Sequence, residues 1–258
     1  MKIKKFLHFF WHLWLVIDFF AGAKLIRLRE KDPIKRRQLY AKNTTRVGRK
    51  FLNAFSITVT TKGMEHLESM RGRSYLAIAN HVSYTDILVL SSLESFVFIT
   101  SVEMSRNPFL GDITRSGGCL FTDRKKPVSL PAEIENFATA VKQGFKVVLF
   151  PEGTSTNGET IHAFRKSLFQ VALSAKTAIM PICVSYTHID GKPISPENRD
   201  IVCWYGEMSF APHFWKLMAH RIEVEVTILP PIEFDSHIKR GELSDIVYKQ
   251  IHDCYHQV

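Results

Sequence analysis

Cysteine is sparse. Cys119, Cys183, Cys203 and Cys254 are the only four in 258 residues, with no Cys-x-x-Cys pair and no histidine at zinc-ligand spacing. This excludes a disulfide scaffold of the small secreted kind and a structural zinc site. It leaves free thiols, as expected in a reducing compartment. No repeat or low-complexity tract is present, and a hydrophobic content of 45% with 19 Phe rules out a disordered chain. Acidic residues are outnumbered, 25 against 34 Lys and Arg, for a net charge of +9. No aromatic RNA-binding motif or DNA-binding module accompanies that charge, so nucleic acid is not the expected partner. Anionic lipid and phosphorylated or acidic substrates remain. No metal and no cofactor is expected.

The chain starts MKIKKFLHFFWHLWLVIDFFAGAKLIRL. Lys2, Lys4 and Lys5 precede an apolar stretch that has no Lys or Arg from Phe6 to Ala23 but is interrupted by His8, His12 and Asp18. Four readings are open: a secretory signal with Ala21-Gly22-Ala23 as cleavage site, a span near the lower length limit, a helix in the membrane interface, and a buried core helix. At 100° per residue Lys4, Lys5, His8 and His12 share one stripe, while Phe6, Phe9, Phe10 and Trp14 lie away from it. That is the layout of an interfacial helix. Asp18 would be costly at a bilayer centre. The basic run RLREKDPIKRRQ (27–38) suits anionic head groups on the cytoplasmic side. Residues 1–58 are therefore expected to be a membrane-associating helical segment, at the cytoplasmic face of the inner (plasma) membrane.

Residues 59–258 alternate short apolar runs with amphipathic stretches, the pattern of an α/β domain. Strands are expected at 74–79, 96–100, 118–122, 146–150, 178–184 and 222–229. Helices are expected at 40–55, 130–143, 166–175 and 242–254. In 130–143, Ile134, Phe137, Ala138 and Val141 recur at helical spacing, Pro131 suits the first turn and Gly144 the stop. THIDGKPISPENRD (187–200) reads as a long surface loop.

Three stretches carry chemistry. In Asn80-His81-Val82-Ser83-Tyr84-Thr85-Asp86, Ser83 and Asp86 fit a capping box ahead of the apolar run 87–90. The same spacing lets Asp86 reach back to His81 and fix one imidazole tautomer, leaving the other nitrogen as a general base. In FPEGTST (150–156) an apolar strand ends in a turn that projects Glu152 and the hydroxyls of Thr154 and Ser155. In GGCLFTDRKK (117–126) a strand delivers Asp123 and Arg124 to a sheet edge, and Arg gives bidentate recognition of phosphate. Singly, each also reads as a cap, a surface turn or a solvated basic turn.

Taken in order, the three resemble the motifs of His-x4-Asp glycerolipid acyltransferases of the 1-acylglycerol-3-phosphate acyltransferase type. Asn80, His81 and Asp86 match the first motif, Gly118, Phe121 and Arg124 the second, and Phe150 to Ser155 the third. Ile179-Met180-Pro181-Ile182 resembles a fourth, apolar-Pro-apolar segment. The likeness covers roughly residues 60 to 230. It implies a mixed sheet flanked by helices, and acyl transfer from acyl-CoA or acyl-carrier protein to a lysolipid hydroxyl. By resemblance, His81 and Asp86 are catalytic, Arg124 holds the acceptor phosphate, and Glu152, Gly153 and Thr154 bind the acceptor. No covalent acyl-enzyme is implied, so Ser83 is not a nucleophile. Backbone N–H groups near the start of an 84–91 helix are candidates for an oxyanion site.

Val102 stands where many relatives carry Lys. The expected acceptor is 1-acyl-sn-glycerol-3-phosphate, giving phosphatidic acid; a lysophospholipid or a lyso-ornithine-type aminolipid is the alternative. The same fold could also serve a non-catalytic lipid-binding protein, a role that retention of His81, Asp86 and Glu152 argues against. CWYGEMSF (203–210) has no role in these motifs.

Overall fold

The computed structural model describes residues 2–108 and 110–257, with side chains described from Trp11 onward except Pro127. Two long helices come first, α1 (Lys2–Arg29) and α2 (Pro33–Ala54), followed by β1 (Ile57–Lys62), α3 (Met64–Ser69), β2 (Tyr75–Ala79), α4 (Thr85–Leu93) and β3 (Phe96–Ser101). Next are α5 (Val102–Arg106), α6 (Leu110–Ser116), β4 (Leu120–Thr122), α7 (Leu130–Lys142), β5 (Lys146–Leu149) and α8 (Gln170–Ala175). The chain closes with β6 (Ile179–Ile189), β7 (Lys192–Pro193), α9 (Phe210–Leu217), β8 (Ile222–Ile228) and α10 (Arg240–Tyr255).

The strands form one mixed sheet in the order β1-β8-β6-β2-β5-β3-β4, with β7 paired to β6. β6, β2, β5, β3 and β4 run parallel, and β8 joins β6 antiparallel. Parallel strands are covered on both faces, and β2 is buried at every position. Its alternating residues divide the core. Ala77 and Ala79 join Val148, Met180 and Phe98 beneath α2 and α4; Leu76 and Ile78 join Val147, Ile179 and Phe137 beneath α7, α8 and α10.

All six expected strands are present. One strand ends later than expected: β6 extends to Ile189 and not to residue 184, so the expected 187–200 loop begins inside a strand, then turns through β7 and a 3-10 turn at Arg199–Ile201. His188 and Ile189 pair with Glu223 and Ile222 beyond a bulge at Tyr186/His188, and the burial of Ile189 and Ile222 keeps the ladder running past it. The expected helix 166–175 starts as a 3-10 turn over Lys166–Phe169. The basic run 27–38 divides between α1 and α2, where Asp32 caps α2 by accepting from Ile34 and Lys35 N–H, with Pro33 at the first helical position.

The expected polarity of the first helix is reversed where its side chains are described. His12, Leu15, Phe19 and Ala23 form one buried stripe, and His12 packs on Phe55 with ring centroids 4.9 Å apart. Trp11, Leu13, Trp14, Ile17, Leu25 and Leu28 face outward. The Lys4, Lys5 and His8 part of the predicted stripe lies outside the described side chains. Asp18 meets two cations from α2, Arg46 at 2.7 Å and Lys50 at 2.9 Å. Among the described residues, no helix is long and apolar enough to cross a membrane.

One clamp positions the end of β2. The Asn80 side-chain amide donates to Val184 O and accepts from Val184 N–H, both at 2.8 Å and buried. Asn80→Ala should cost about 1–3 kcal/mol for each backbone group left without a partner, read by urea denaturation. A loss below about 0.5 kcal/mol would show that the clamp adds nothing beyond the ladder.

Candidate functional site

The parallel order places the C-terminal ends of β2, β5, β3 and β4 side by side on one rim, where open α/β sheets bind ligands. His81 follows β2, Phe150 and Gly153 follow β5, Thr100 lies near the end of β3, and Thr122 to Arg124 lie at the end of β4; all contribute to a pocket of about 200 Å³. The sheet thus gathers residues that are up to 72 positions apart in sequence (81 to 153).

His81 Nδ1 lies 2.8 Å from Asp86 Oδ2. A carboxylate oxygen accepts, so Nδ1–H donates, and in the neutral ring Nε2 keeps its lone pair. The same Oδ2 accepts from Val82 N–H at 2.8 Å and Ser83 N–H at 3.0 Å. Oδ1 accepts from the Tyr186 hydroxyl at 2.7 Å, and Thr85 Oγ1 lies 2.6 Å from that hydroxyl. Half of the expected capping box forms: Asp86 accepts from Ser83 N–H, while Asp86 N–H goes to the Ser83 carbonyl and not to its hydroxyl, and α4 starts at Thr85 after Tyr84 with no side chain capping it. The Asp86 carboxylate is fully buried, and four donors compensate for that. The imidazole stacks on Phe150 at 4.1 Å and 19°.

Glu152 is buried. Oε1 accepts from His81 N–H and Oε2 from His162 N–H, both at 2.7 Å. Burial raises its carboxyl to about 7, with the Asp86 charge adding and the two backbone donors opposing. It is a strut between two turns, not a group lining the pocket. Gly153 does line the pocket, in the left-handed region at φ 76°. Thr154 is exposed and lies apart from the pocket-lining set, its hydroxyl 3.4 Å from Ser155 O. Ser83 is fully buried.

Most backbone donors at the start of α4 are already engaged, which leaves Tyr84 N–H as the remaining candidate for the expected oxyanion site. The N–H groups of Val82 and Ser83 go to Asp86, Thr85 N–H lies 3.4 Å from Ser83 Oγ, and those of Asp86 and Ile87 go to Ser83 and Tyr84 carbonyls.

Two residues escaped the sequence reading. Arg165 lines the pocket beside Arg124, and the two positive charges oppose each other. Burial, ahead of Arg165, lowers the Arg124 pKa, while Glu103 raises it. Tyr186, on β6, is 100 positions from Asp86 and carried no local signal. The unassigned stretch 203–210 also finds a place. Trp204 N–H donates to Val82 O at 2.9 Å, and the Trp204 ring meets Tyr84 edge-on at 5.8 Å. No group of three or more metal-ligating side chains occurs among the described residues.

A family profile described as Acyltransferase matches residues 58–185. The chain is 32% identical over 194 residues to the lyso-ornithine lipid O-acyltransferase of Rhizobium meliloti, covering 72% of this chain and 66% of that protein. It is 24% identical over 144 residues to the 1-acyl-sn-glycerol-3-phosphate acyltransferase of Neisseria gonorrhoeae, covering 56% and 54%. The crystal structure of the 1-acyl-sn-glycerophosphate acyltransferase PlsC from Thermotoga maritima superposes with a TM-score of 0.69 at 18% identity, over 99% of this chain and 96% of that one. That likeness is one of fold.

Glu152 makes stability depend on pH. The folded chain holds its proton up to about pH 7 and the unfolded chain only to about 4.5. Its contribution is therefore complete below pH 4.5 and is lost as pH rises through 7, by about 3 kcal/mol. Glu152→Gln has no proton to release. In urea denaturation, wild-type stability minus variant stability should fall between pH 4.5 and 7. A constant difference would show that the carboxyl titrates normally.

Proposed function

The chain belongs to the acyltransferase family, and from that premise we propose that it moves a fatty acyl group from a thioester to the free hydroxyl of a lysolipid. The observation that carries this reading is the His81–Asp86 pair, with one imidazole nitrogen tied to a buried carboxylate and the ring lining the rim pocket. The free Nε2 takes the proton of the acceptor hydroxyl as its oxygen attacks the thioester carbonyl. A C–O bond forms, the C–S bond breaks, and the imidazolium returns the proton to the leaving thiolate. Asp86 holds the ring and balances its transient charge, and needs no covalent step itself. Acyl-CoA and acyl-carrier protein are both acidic donors suited to a chain of net charge +9.

We favour a lyso-ornithine lipid as acceptor. An ornithine head group carries a carboxylate and an ammonium, and the pocket offers Arg124 and Asp123 together. Val102 supplies no further cation. The name of the Rhizobium meliloti relative points the same way. Lysophosphatidic acid is the second reading, supported by the Neisseria gonorrhoeae relative and by the arginines of the pocket. Glu152 and Gly153 shape the turn over the acceptor; Thr154 stands at its exposed side. The acceptor comes from the membrane surface, and the outward Trp11, Trp14 and Ile17 of α1 supply an apolar face for its interface. The cytoplasmic face is the side that agrees with the basic residues from 27 to 38.

His81→Ala should lower thiol release by roughly 10²–10⁴-fold with a native circular dichroism spectrum. Unchanged turnover in the folded variant would reject His81 as the base, and absence of thiol release in the wild type would favour a lipid-binding protein. With lyso-ornithine lipid and lysophosphatidic acid compared, kcat/KM should be higher for the first; the reverse order selects the second reading. Trp11→Ser with Trp14→Ser should weaken binding to anionic vesicles while leaving the buried His12–Phe19 stripe in place. Equal vesicle binding would remove α1 as the anchor.

A further inference from the structure

Arg165 lies outside every motif that the family resemblance used. Its backbone is anchored to the turn after β5, where Arg165 N–H donates to Pro151 O at 3.0 Å, and its carbonyl accepts from Leu168 N–H at 3.0 Å. Its guanidinium lies against the backbone of Gly153. A Cβ placed on Gly153 would stand 2.5 Å from Nε, 2.6 Å from Cζ and 2.8 Å from Nη2 of Arg165. Gly153 therefore has two demands on it: φ of 76° and room for this side chain. The space a side chain would fill holds a cation instead, in the lining of the pocket that His81 also lines.

Arg124 faces the same pocket from the end of β4. Among the described residues, neither guanidinium takes part in an ion pair; the nearby carboxylate of Glu103 sits 3.8 Å from Lys125. Two like charges bordering a pocket of about 200 Å³ raise each other's energy until an anion joins them. Two guanidinium groups lining one pocket match an oxyanion, each offering a planar fork.

We infer that Arg165 and Arg124 form a two-arginine clamp for the anionic group of the acceptor head, with Gly153 kept small to admit Arg165. The chemistry is that of an oxyanion, either the carboxylate of an aminoacyl head group or a phosphate. Arg165 thereby supplies, from the segment after the third motif, the positive charge that Val102 does not. The inference rests on the acyl-transfer reading for its meaning, and its test does not need turnover.

Binding is measured by calorimetry on the full chain with two soluble head-group analogues, Nα-acetyl-ornithine and glycerol 3-phosphate. Wild type should bind at least one of them, and which one identifies the anion. Arg165→Gln should weaken that binding on the order of 10- to 100-fold, and Arg165→Lys should recover part of it. Arg124→Gln should do the same, and the double variant should lose less than the product of the two single effects. Gly153→Ala should resemble Arg165→Gln, provided its thermal transition stays cooperative. Binding unchanged in Arg165→Gln, or a wild type that binds neither analogue, would overturn the clamp. In parallel, acyl transfer that raises acceptor KM in Arg165→Gln with donor KM unchanged supports it. A wild type that binds an analogue but transfers no acyl group keeps the clamp and rejects the enzymatic reading.

Discussion

The buried carboxylate of Asp86 is the constraint on which the site rests. An anion with no solvent exposure is costly unless donors surround it. Here the donors are the imidazole of His81, two backbone N–H groups of the turn and the hydroxyl of Tyr186. Satisfying the charge thus fixes the turn, the ring tautomer and the start of α4 in one arrangement. Removing any donor would disturb the others, because three of the four converge on one oxygen. The hydroxyl pair Thr85–Tyr186 extends the same arrangement into β6, the strand that Asn80 also clamps.

Glu152 shows how a second buried carboxylate in the same neighbourhood serves a different purpose. It too accepts two backbone N–H groups, but it has no side-chain cation or hydroxyl beside it, and burial dominates. Glu152 ties the turn after β2 to the loop carrying His162, and Arg165 continues from that loop. The third motif therefore acts by placing its neighbours more than by offering its own side chains.

The strands, the interior helix 130–142 and the His81–Asp86 pair could be read from the sequence because each depends on local period or short spacing. The continuous apolar run of β2 marks a strand buried on both faces, and the spacing of His81 and Asp86 fits within one turn. What could not be read depends on strand order. Tyr186 meets Asp86 across 100 positions and Arg165 meets Arg124 across 41, and neither pairing leaves a periodic trace. The capping box was legible only in part: Asp86 does accept from Ser83 N–H, but the same oxygen is shared with Val82 N–H and the His81 ring in the turn ahead of the helix. The first helix inverted for a related reason. A helical wheel shows which residues share a stripe, but it does not say which stripe another helix will cover, and Phe55 with α2 covers the His12 side.

The segment 203–217 joins these parts mechanically. His213 Nε2 lies 3.1 Å from Cys203 O, a carbonyl that only accepts, so Nε2–H donates. Burial lowers the pKa of His213, and in the neutral ring Nδ1 accepts from the Tyr84 hydroxyl at 3.0 Å. Tyr84 ends the turn that carries His81. From the same helix, Phe214 meets Phe55 edge-on at 5.3 Å, and Phe55 packs on His12 of α1. A continuous run of packed rings therefore connects the helix whose outer face is apolar to the turn that holds the imidazole. Such a run is stiff, because close-packed side chains transmit displacement and do not absorb it. An acceptor lipid delivered from an interface bound by α1 would meet an imidazole whose position relative to that interface is already set. On the proposed reading, the first helix would contribute to orientation at the site as well as to attachment.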